Sequence, residues 1–416
     1  MSGAELLKTA IEIVEKSIES VLPDRAVKDT LERLNLKDVF LVAVGKAAWR
    51  MAKAAHEVLN GKIKRGIVIT KYGHSEGPID GFEIYEAGHP IPDGNTVRAT
   101  RRVMEMVEKL REKDTVLFLL SGGGSALFEL PMEGVSLEEL QEITDSLLKS
   151  GAKVEEINTV RKHLSQVKGG RFAEKIYPAK VITLVLSDVL GDRIDVVASG
   201  PTWPDRSTSE EAIRILERYK ISVSDRVKKA LLKETPEYLS NVEVHVLGNV
   251  QKVCEAAKRI AVEKGFNTEI LTTTLDCEAK EAGRFIASIM REIKEKNRPL
   301  RKPAAVIFGG ETVVHVKGNG MGGRNQELAL SAAIALEGLE GVVLCSVGTD
   351  GTDGPTDAAG GVVDGKTAAI LKEMGEDPLE YLESNDSYNA LKKAGALLKT
   401  GPTGTNVNDL IIGLIT

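Results

Sequence analysis

Short apolar runs alternate with charged amphipathic segments through most of this chain, and that alternation constrains its fold more than any other feature. F-L-V-A-V-G ending at Gly45, then G-I-V-I-T, F-E-I-Y-E, T-V-L-F-L-L and K-V-I-T-L-V-L read as strands. Between them lie segments such as T-V-R-A-T-R-R-V-M-E-M-V-E-K-L, and residues Glu5 to Val21 also carry apolar positions at helical spacing. Strands that are apolar almost throughout are buried on both faces, so their alternation with helices predicts a doubly wound parallel sheet. A second alternating series starts at V-E-V-H-V-L-G. It runs through a helix holding Cys254, T-E-I-L, a long helix from Asp276 to Lys296, A-A-V-I-F, T-V-V-H-V, a helix near Asn325 to Leu336 and G-V-V-L-C-S-V. The turn-rich L-K-E-T-P-E-Y-L-S-N separates the two series, which places the expected domains at 1–237 and 238–416. A chain of 416 residues also exceeds the size at which single cores stop growing.

Composition narrows the function classes. A net charge of −6 argues against nucleic acid as a partner, because a basic footprint would be needed to neutralise phosphates. No apolar run is long enough to cross a bilayer and the N-terminal residues lack the order of a signal peptide, so a cytoplasmic location without membrane contact is expected. The 3 cysteines, Cys254, Cys277 and Cys345, are too scattered for a disulfide framework or a zinc pair. Homo-oligomerisation is left open.

Polar and glycine-rich motifs sit just beyond the strands, where parallel sheets bind ligands. Ser121-Gly122-Gly123-Gly124-Ser125 follows the most apolar strand, and consecutive amides without side chains can cradle a phosphate or carboxylate. Lys46 follows Gly45 at the start of a helix, where a cation opposes the macrodipole unless an anion binds. S-D-V-L-G-D, from Ser187 to Asp192, offers Asp188 for Mg²⁺, a hard ion that shares its oxygen ligands with substrate phosphates. G-T-D-G-T-D-G-P-T-D offers Asp350 for metal, ribose or a substrate hydroxyl; its spacing does not fit a calcium loop. R-K-H-L-S-Q-V-K-G-G-R, from Arg161 to Arg171, concentrates positive charge that is either a solvated face or a local field for a polyanion. His163 and His89 are read as structural, since no nucleophile motif surrounds them.

The stretch from Gly309 to Leu330 places six glycines beside Glu311, Arg324 and Asn325. Gly318, Gly320 and Gly323 satisfy G-x-G-x-x-G, but the ribose-binding acid is expected about 20 residues on and the next strand ends at Asp350, roughly 30 residues past the first glycine, so an anion loop fits better than a dinucleotide site. A Walker-type phosphate loop and the protein-kinase signatures are absent from the sequence.

S-G-G-G-S-A-L, N-T-V-R-K-H-L-S-Q-V-K-G-G-R, L-S-D-V-L-G-D with V-A-S-G-P-T, G-G-E-T-V-V-H-V-K-G-N-G-M-G-G-R-N-Q-E and G-T-D-G-T-D-G-P-T-D-A-A-G together resemble the glycerate 2-kinase, or MOFRL-type glycerate kinase, family. The motifs are colinear and span nearly the whole chain. The resemblance implies a larger Rossmann-like N-terminal domain and a smaller C-terminal α/β domain, with the active site in the cleft between them. It implies ATP- and Mg²⁺-dependent phosphorylation of D-glycerate to 2-phosphoglycerate, with Lys46 and Arg324 central. Ser121, Gly122, Gly123, Gly124, Ser125, Glu311, Asn325 and Asp350 are the expected substrate- and ATP-binding residues, and Asp188 the expected metal ligand. Val313 and Val197 occupy places where relatives may differ, and neither disturbs a charged group. The alternative is an NAD(P)H-dependent hydroxypyruvate reductase, suggested by G-x-G-x-x-G; a non-catalytic binding protein is a third reading.

Overall fold

The structure is a computed structural model that describes residues 1–187, 189 and 195–416. The chain forms two compact units, Pro23–Leu247 and a second one that combines Met1–Leu22 with Gly248–Thr416.

The unit Pro23–Leu247 is built on a six-stranded sheet. Its strands are β1 (Val39–Val44), β2 (Ile63–Lys71), β3 (Phe82–Ala87), β4 (Thr115–Leu120), β5 (Lys180–Leu186) and β6 (Val242–Gly248), in the order β3-β2-β1-β4-β5-β6. Pairings from β3 through β5 are parallel. Leu41 to Val44 in β1 and Leu117 to Leu119 in β4 are wholly buried, which is why these strands lack polar alternation. The strand order reverses between β1 and β4, so the loops after them diverge and leave a crevice at their carboxyl ends.

The second unit has a mixed sheet in the order β11-β10-β9-β12-β8-β7. Its strands are β7 (Asn267–Leu275), β8 (Ala304–Gly310), β9 (Val342–Gly348), β10 (Gly360–Asp364), β11 (Leu397–Leu398) and β12 (Asp409–Ile415). β7 and β8 are parallel, whereas β12 runs antiparallel between β8 and β9. That reversal brings the first residue of β12, Asp409, opposite Gly310 and Gly348 at the ends of its neighbours.

Three sequence expectations are corrected here. The division at 237 is replaced by one near 248, because V-E-V-H-V-L-G completes the first sheet as β6. The N-terminal helix Gly3–Glu19 belongs to the second unit, where Leu6, Ala10, Ile13 and Val14 are buried. T-V-V-H-V is not a strand: Val313 makes an isolated bridge to Glu278, and Val313 and Val316 are exposed.

Candidate functional site

In the first unit the site is assembled where β1 and β4 end. Gly45 has φ +123°, and a Cβ there would lie 2.2 Å from Ser121 Oγ, so the two loops can touch because this position lacks a side chain. Ser121 is buried and ties the loops together: its Oγ accepts from the Ala47 amide at 3.1 Å. The Lys46 amide donates to Gly122 O at 2.9 Å. Gly123 adopts φ +85°, which turns the chain into the short helix Gly124–Leu127. Among the described residues, no protein acceptor takes the amides of Gly122, Gly123, Gly124 or Ser125. The ammonium of half-buried Lys46 likewise makes no hydrogen bond or ion pair among them. Four amides and an ammonium without partners among the described residues, on two loops joined at Lys46 and Gly122, supply donors suited to an anion.

His89 borders this surface, its ring lying 3.0 Å from where a Gly123 Cβ would sit. Burial, followed by the charges of Lys46 and Lys71, holds the imidazole down to about 4, so it stays neutral near pH 7. Ser125 Oγ is 3.3 Å from Ser199 Oγ, which donates to Asn158 Oδ1 at 3.0 Å.

In the second unit the centre is Arg324, the first residue of the helix Arg324–Ala335. Its Nε and Nη2 donate to the two oxygens of Asp409 at 2.7 and 3.0 Å, and its Nη1 to Glu311 Oε1 at 2.9 Å. A guanidinium carries about five N–H donors, so about two remain unused, one on each terminal nitrogen. Asp409 is 1% exposed, and burial pushes its carboxyl up to about 6 against the opposing pull of Arg324. Asp353 is also buried, which raises its carboxyl. Its oxygens accept the amides of Asn325 and Gln326 at 3.1 and 2.9 Å and so occupy the helix N-terminus. Glu311 also accepts from Asn408 Nδ2 at 3.0 Å.

The structure thus brings the expected residues into two clusters, one per unit. Lys46 and Gly122 to Ser125 lie together in the first; Glu311, Arg324 and Asn325 lie together in the second. Asn325 is interior, its side chain shared among Asp409, Asp353 and Ser346, so it orients the cluster. Asp350 lies at the same sheet edge, and its Oδ1 accepts the amide and hydroxyl of Thr352 at 2.9 and 3.0 Å. Asp188 lies outside the described residues.

Two motif readings change. The glycines Gly318, Gly320 and Gly323 serve close packing, since none has room for a Cβ. A Cβ at Gly318 would lie 2.2 Å from Ser384 O, one at Gly320 2.5 Å from Asp386 Cβ, and one at Gly323 2.3 Å from Asp353 Cγ. Four of the amides are taken as well, those of Lys317 and Gly318 by Asn385, that of Gly320 by the Ser384 carbonyl and that of Met321 by Asp386. The cations of R-K-H-L-S-Q-V-K-G-G-R do not form a solvated patch either: Lys162, Lys168 and Arg171 are buried, and Arg161 is half-buried and donates to a backbone carbonyl. His163 is structural as expected, facing the carbonyls of Lys233 and Ser207 at 3.3 Å. Sequence reasoning missed Asp353 and Asp409. The apolar run D-L-I-I-G-L-I after N-V-N was the available signal for Asp409, which opens that strand.

A largely parallel sheet with a glycine-rich loop at its switch point, joined in one chain to a mixed sheet whose edge carries an arginine held by Asp409 and Glu311, defines a two-unit α/β protein. The family described as "Domain of unknown function (DUF4147)" matches residues 9–232, and the MOFRL family matches residues 304–409. D-glycerate 2-kinase of Thermotoga maritima is 77% identical over 410 residues, 99% of this chain and 98% of that one. Glycerate 2-kinase of Pyrococcus horikoshii is 44% identical over 439 residues, 100% of this chain and 99% of that one. A crystal structure of glycerate kinase from Thermotoga maritima, 76% identical, matches with a TM-score of 0.98 and covers 99% of this chain and 100% of that one. The chain belongs to the glycerate 2-kinase family.

Proposed function

We infer that this protein is a D-glycerate 2-kinase that transfers the γ-phosphoryl group of ATP to D-glycerate, giving 2-phosphoglycerate and ADP. The observation that carries the reading is 77% identity over 410 residues to a D-glycerate 2-kinase. The reductase alternative loses support, because Gly318, Gly320 and Gly323 of G-x-G-x-x-G are explained by close packing against Ser384, Asp386 and Asp353.

Phosphoryl transfer needs alignment and charge compensation more than covalent help. In this reading the amides of Gly122 to Ser125 and the Lys46 ammonium hold phosphate oxygens of ATP and offset charge on the group in flight. The two unused N–H groups of Arg324 grip the glycerate carboxylate or the γ-phosphate bidentately. Glu311 fixes that fork, and Asp350, with one carboxylate oxygen uncommitted, takes a substrate or ribose hydroxyl. The glycerate 2-hydroxyl oxygen forms the new bond to phosphorus as the bond to the ADP oxygen breaks, and the hydroxyl proton passes to water.

Mg²⁺ arrives with ATP as part of the substrate. Among the described residues no group of three or more His, Cys, Asp or Glu could hold a metal ion, which suits an ion bound chiefly by phosphates with one or two carboxylates. Asp188, two residues after the last residue of β5 in the sequence, is the proposed carboxylate. A cytoplasmic location fits this reading; among the described residues no helix is long and apolar enough to cross a membrane.

The test supplies ATP–Mg²⁺ with D-glycerate, and NADH with hydroxypyruvate in a separate mixture. ADP release and a 2-phosphoglycerate phosphorus resonance are expected from the first. NADH oxidation without ADP release would overturn the assignment.

A further inference from the structure

The cations between Arg161 and Arg171 have no part in the reaction as described. Two are committed elsewhere: Lys162 pairs with Asp205 at 3.0 Å, and Arg171 donates to the carbonyls of Ser165 and Lys233. The other two converge on one atom of the amide nest. Arg161 Nη2 donates to the Ser125 carbonyl oxygen at 2.7 Å, and Lys168 Nζ donates to the same oxygen at 2.8 Å. Lys168 also donates to Phe128 O at 3.0 Å, and its ammonium lies 3.4 Å from Glu129 Oε2, with both side chains wholly buried. Glu129 is the carboxylate that acts on both cations. Two positive charges against one negative leave a net positive charge behind the loop.

We propose that Lys168 and Arg161 are positioning residues for phosphate binding, clamping the Ser125 carbonyl so that the free amides of the loop stay aimed at the anion. The proposal rests on the reading of Gly122 to Ser125 as the phosphate cradle. The clamp acts through connected peptide units. Fixing the Ser125 carbonyl fixes the Ala126 amide of the same peptide, which donates to Gly123 O at 3.2 Å. That bond in turn orients the next peptide, whose amide is the free N–H of Gly124. Charged donors hold a carbonyl about twice as strongly as neutral ones, and burial removes competing water. The surplus charge has a second effect, since it stabilises an anion bound in front of the loop.

Protonation supplies a readout that a purely structural lysine would not give. Burial pushes the Lys168 ammonium down to about 8, with Glu129 opposing and Arg161 adding to the shift. Below that pH the clamp is charged; above it the proton and the surplus charge are lost.

The test uses the full-length chain as wild type, Lys168→Arg, Lys168→Met and Glu129→Gln, with kcat/KM for ATP–Mg²⁺ followed from neutral to alkaline pH. Wild type should lose kcat/KM through an alkaline limb near 8. Lys168→Arg should move that limb up, because a guanidinium does not deprotonate in proteins. Glu129→Gln should move it down, because the partner that favours the ammonium is gone. Lys168→Met should lower kcat/KM for ATP roughly tenfold to a hundredfold at neutral pH, the effect of one lost charged hydrogen bond. If Lys168→Met does not fold, the other two variants carry the test. An alkaline limb unchanged in Lys168→Arg and Glu129→Gln, with wild-type melting temperatures, overturns the clamp. Absence of turnover in wild type would instead overturn the kinase reading. The clamp is then decided by calorimetric binding of tripolyphosphate, whose affinity should show the same limb and the same shifts.

Discussion

Lys46 and Arg324 are both cations beside an expected anion, yet the structure gives them different energetics. The Lys46 ammonium has no acceptor among the described residues, so its removal should cost catalysis and leave stability intact. Lys46→Ala is expected to lower kcat by about 10²- to 10³-fold, comparable to losing one oxyanion donor, with an unchanged melting temperature. Arg324 instead neutralises Asp409, which is 1% exposed. Arg324→Ala should destabilise the protein by about 3 to 5 kcal/mol in urea unfolding at neutral pH, because a buried carboxylate is left unpaired. Protonation relieves that cost, so the deficit should shrink as pH falls. A deficit independent of pH would show that Asp409 does not carry it. His89 gives a second pH signature. Its folded-state pKa, lowered from 6.5 to about 4, means that the unfolded chain binds more protons within that window. Stability therefore falls as pH drops through it, and His89→Gln should flatten the melting temperature against pH there. The lysine and the arginine were legible in the sequence because each is a cation at the start of a helix, where it opposes the macrodipole. Asp409 and Asp353 were not, since their significance lies in which distant cation or amide they meet.

Two glycine-rich elements look alike in sequence and serve different physics. In Gly122 to Ser125 the amides have no acceptor among the described residues and Gly123 has φ +85°, so backbone shape serves binding. Around Gly318 to Met321 the amides of Gly318, Gly320 and Met321 are capped, and the missing side chains of Gly318 and Gly320 make room for Ser384 and Asp386. Gly123→Ala should therefore act on activity: a left-handed alanine costs about 1 to 2 kcal/mol, and its methyl meets His89 and the Lys46 stem. The expected result is weaker ATP binding in a folded protein. Gly318→Ala should act on stability, because its Cβ meets the Ser384 carbonyl at 2.2 Å and backbone must shift. Thermal melting together with KM for ATP separates the two, and equal losses of both in each variant would contradict the distinction. Composition revealed that each loop is special; whether its amides face outward depends on side chains such as Asn385 and Asp386, far along the chain.

At the scale of the whole molecule, the chain leaves one unit and returns to it. Met1–Leu22 completes the unit formed by Gly248–Thr416, and the helix Gly3–Glu19 buries Leu6, Ile13 and Val14 there. Ile13→Ala in the full chain should cost about 2 to 5 kcal/mol, as buried large-to-small changes do. Hydrogen exchange should accelerate in β9 and in the helix Val250–Glu263 and stay unchanged in β1 to β4. Faster exchange confined to the first sheet would place the helix in the wrong unit. By itself the sequence determined the elements of the first sheet, the strand-end positions of Lys46 and Ser121 to Ser125, the helix-start position of Arg324, and the family, because apolar periodicity and local backbone chemistry are written within a few residues. Tertiary structure alone decided that β6 closes the first sheet, that the N-terminal helix joins the second unit, and that an antiparallel β12 delivers Asp409 to Arg324. Those outcomes depend on burial and pairing between residues far apart in the chain, which no local pattern encodes.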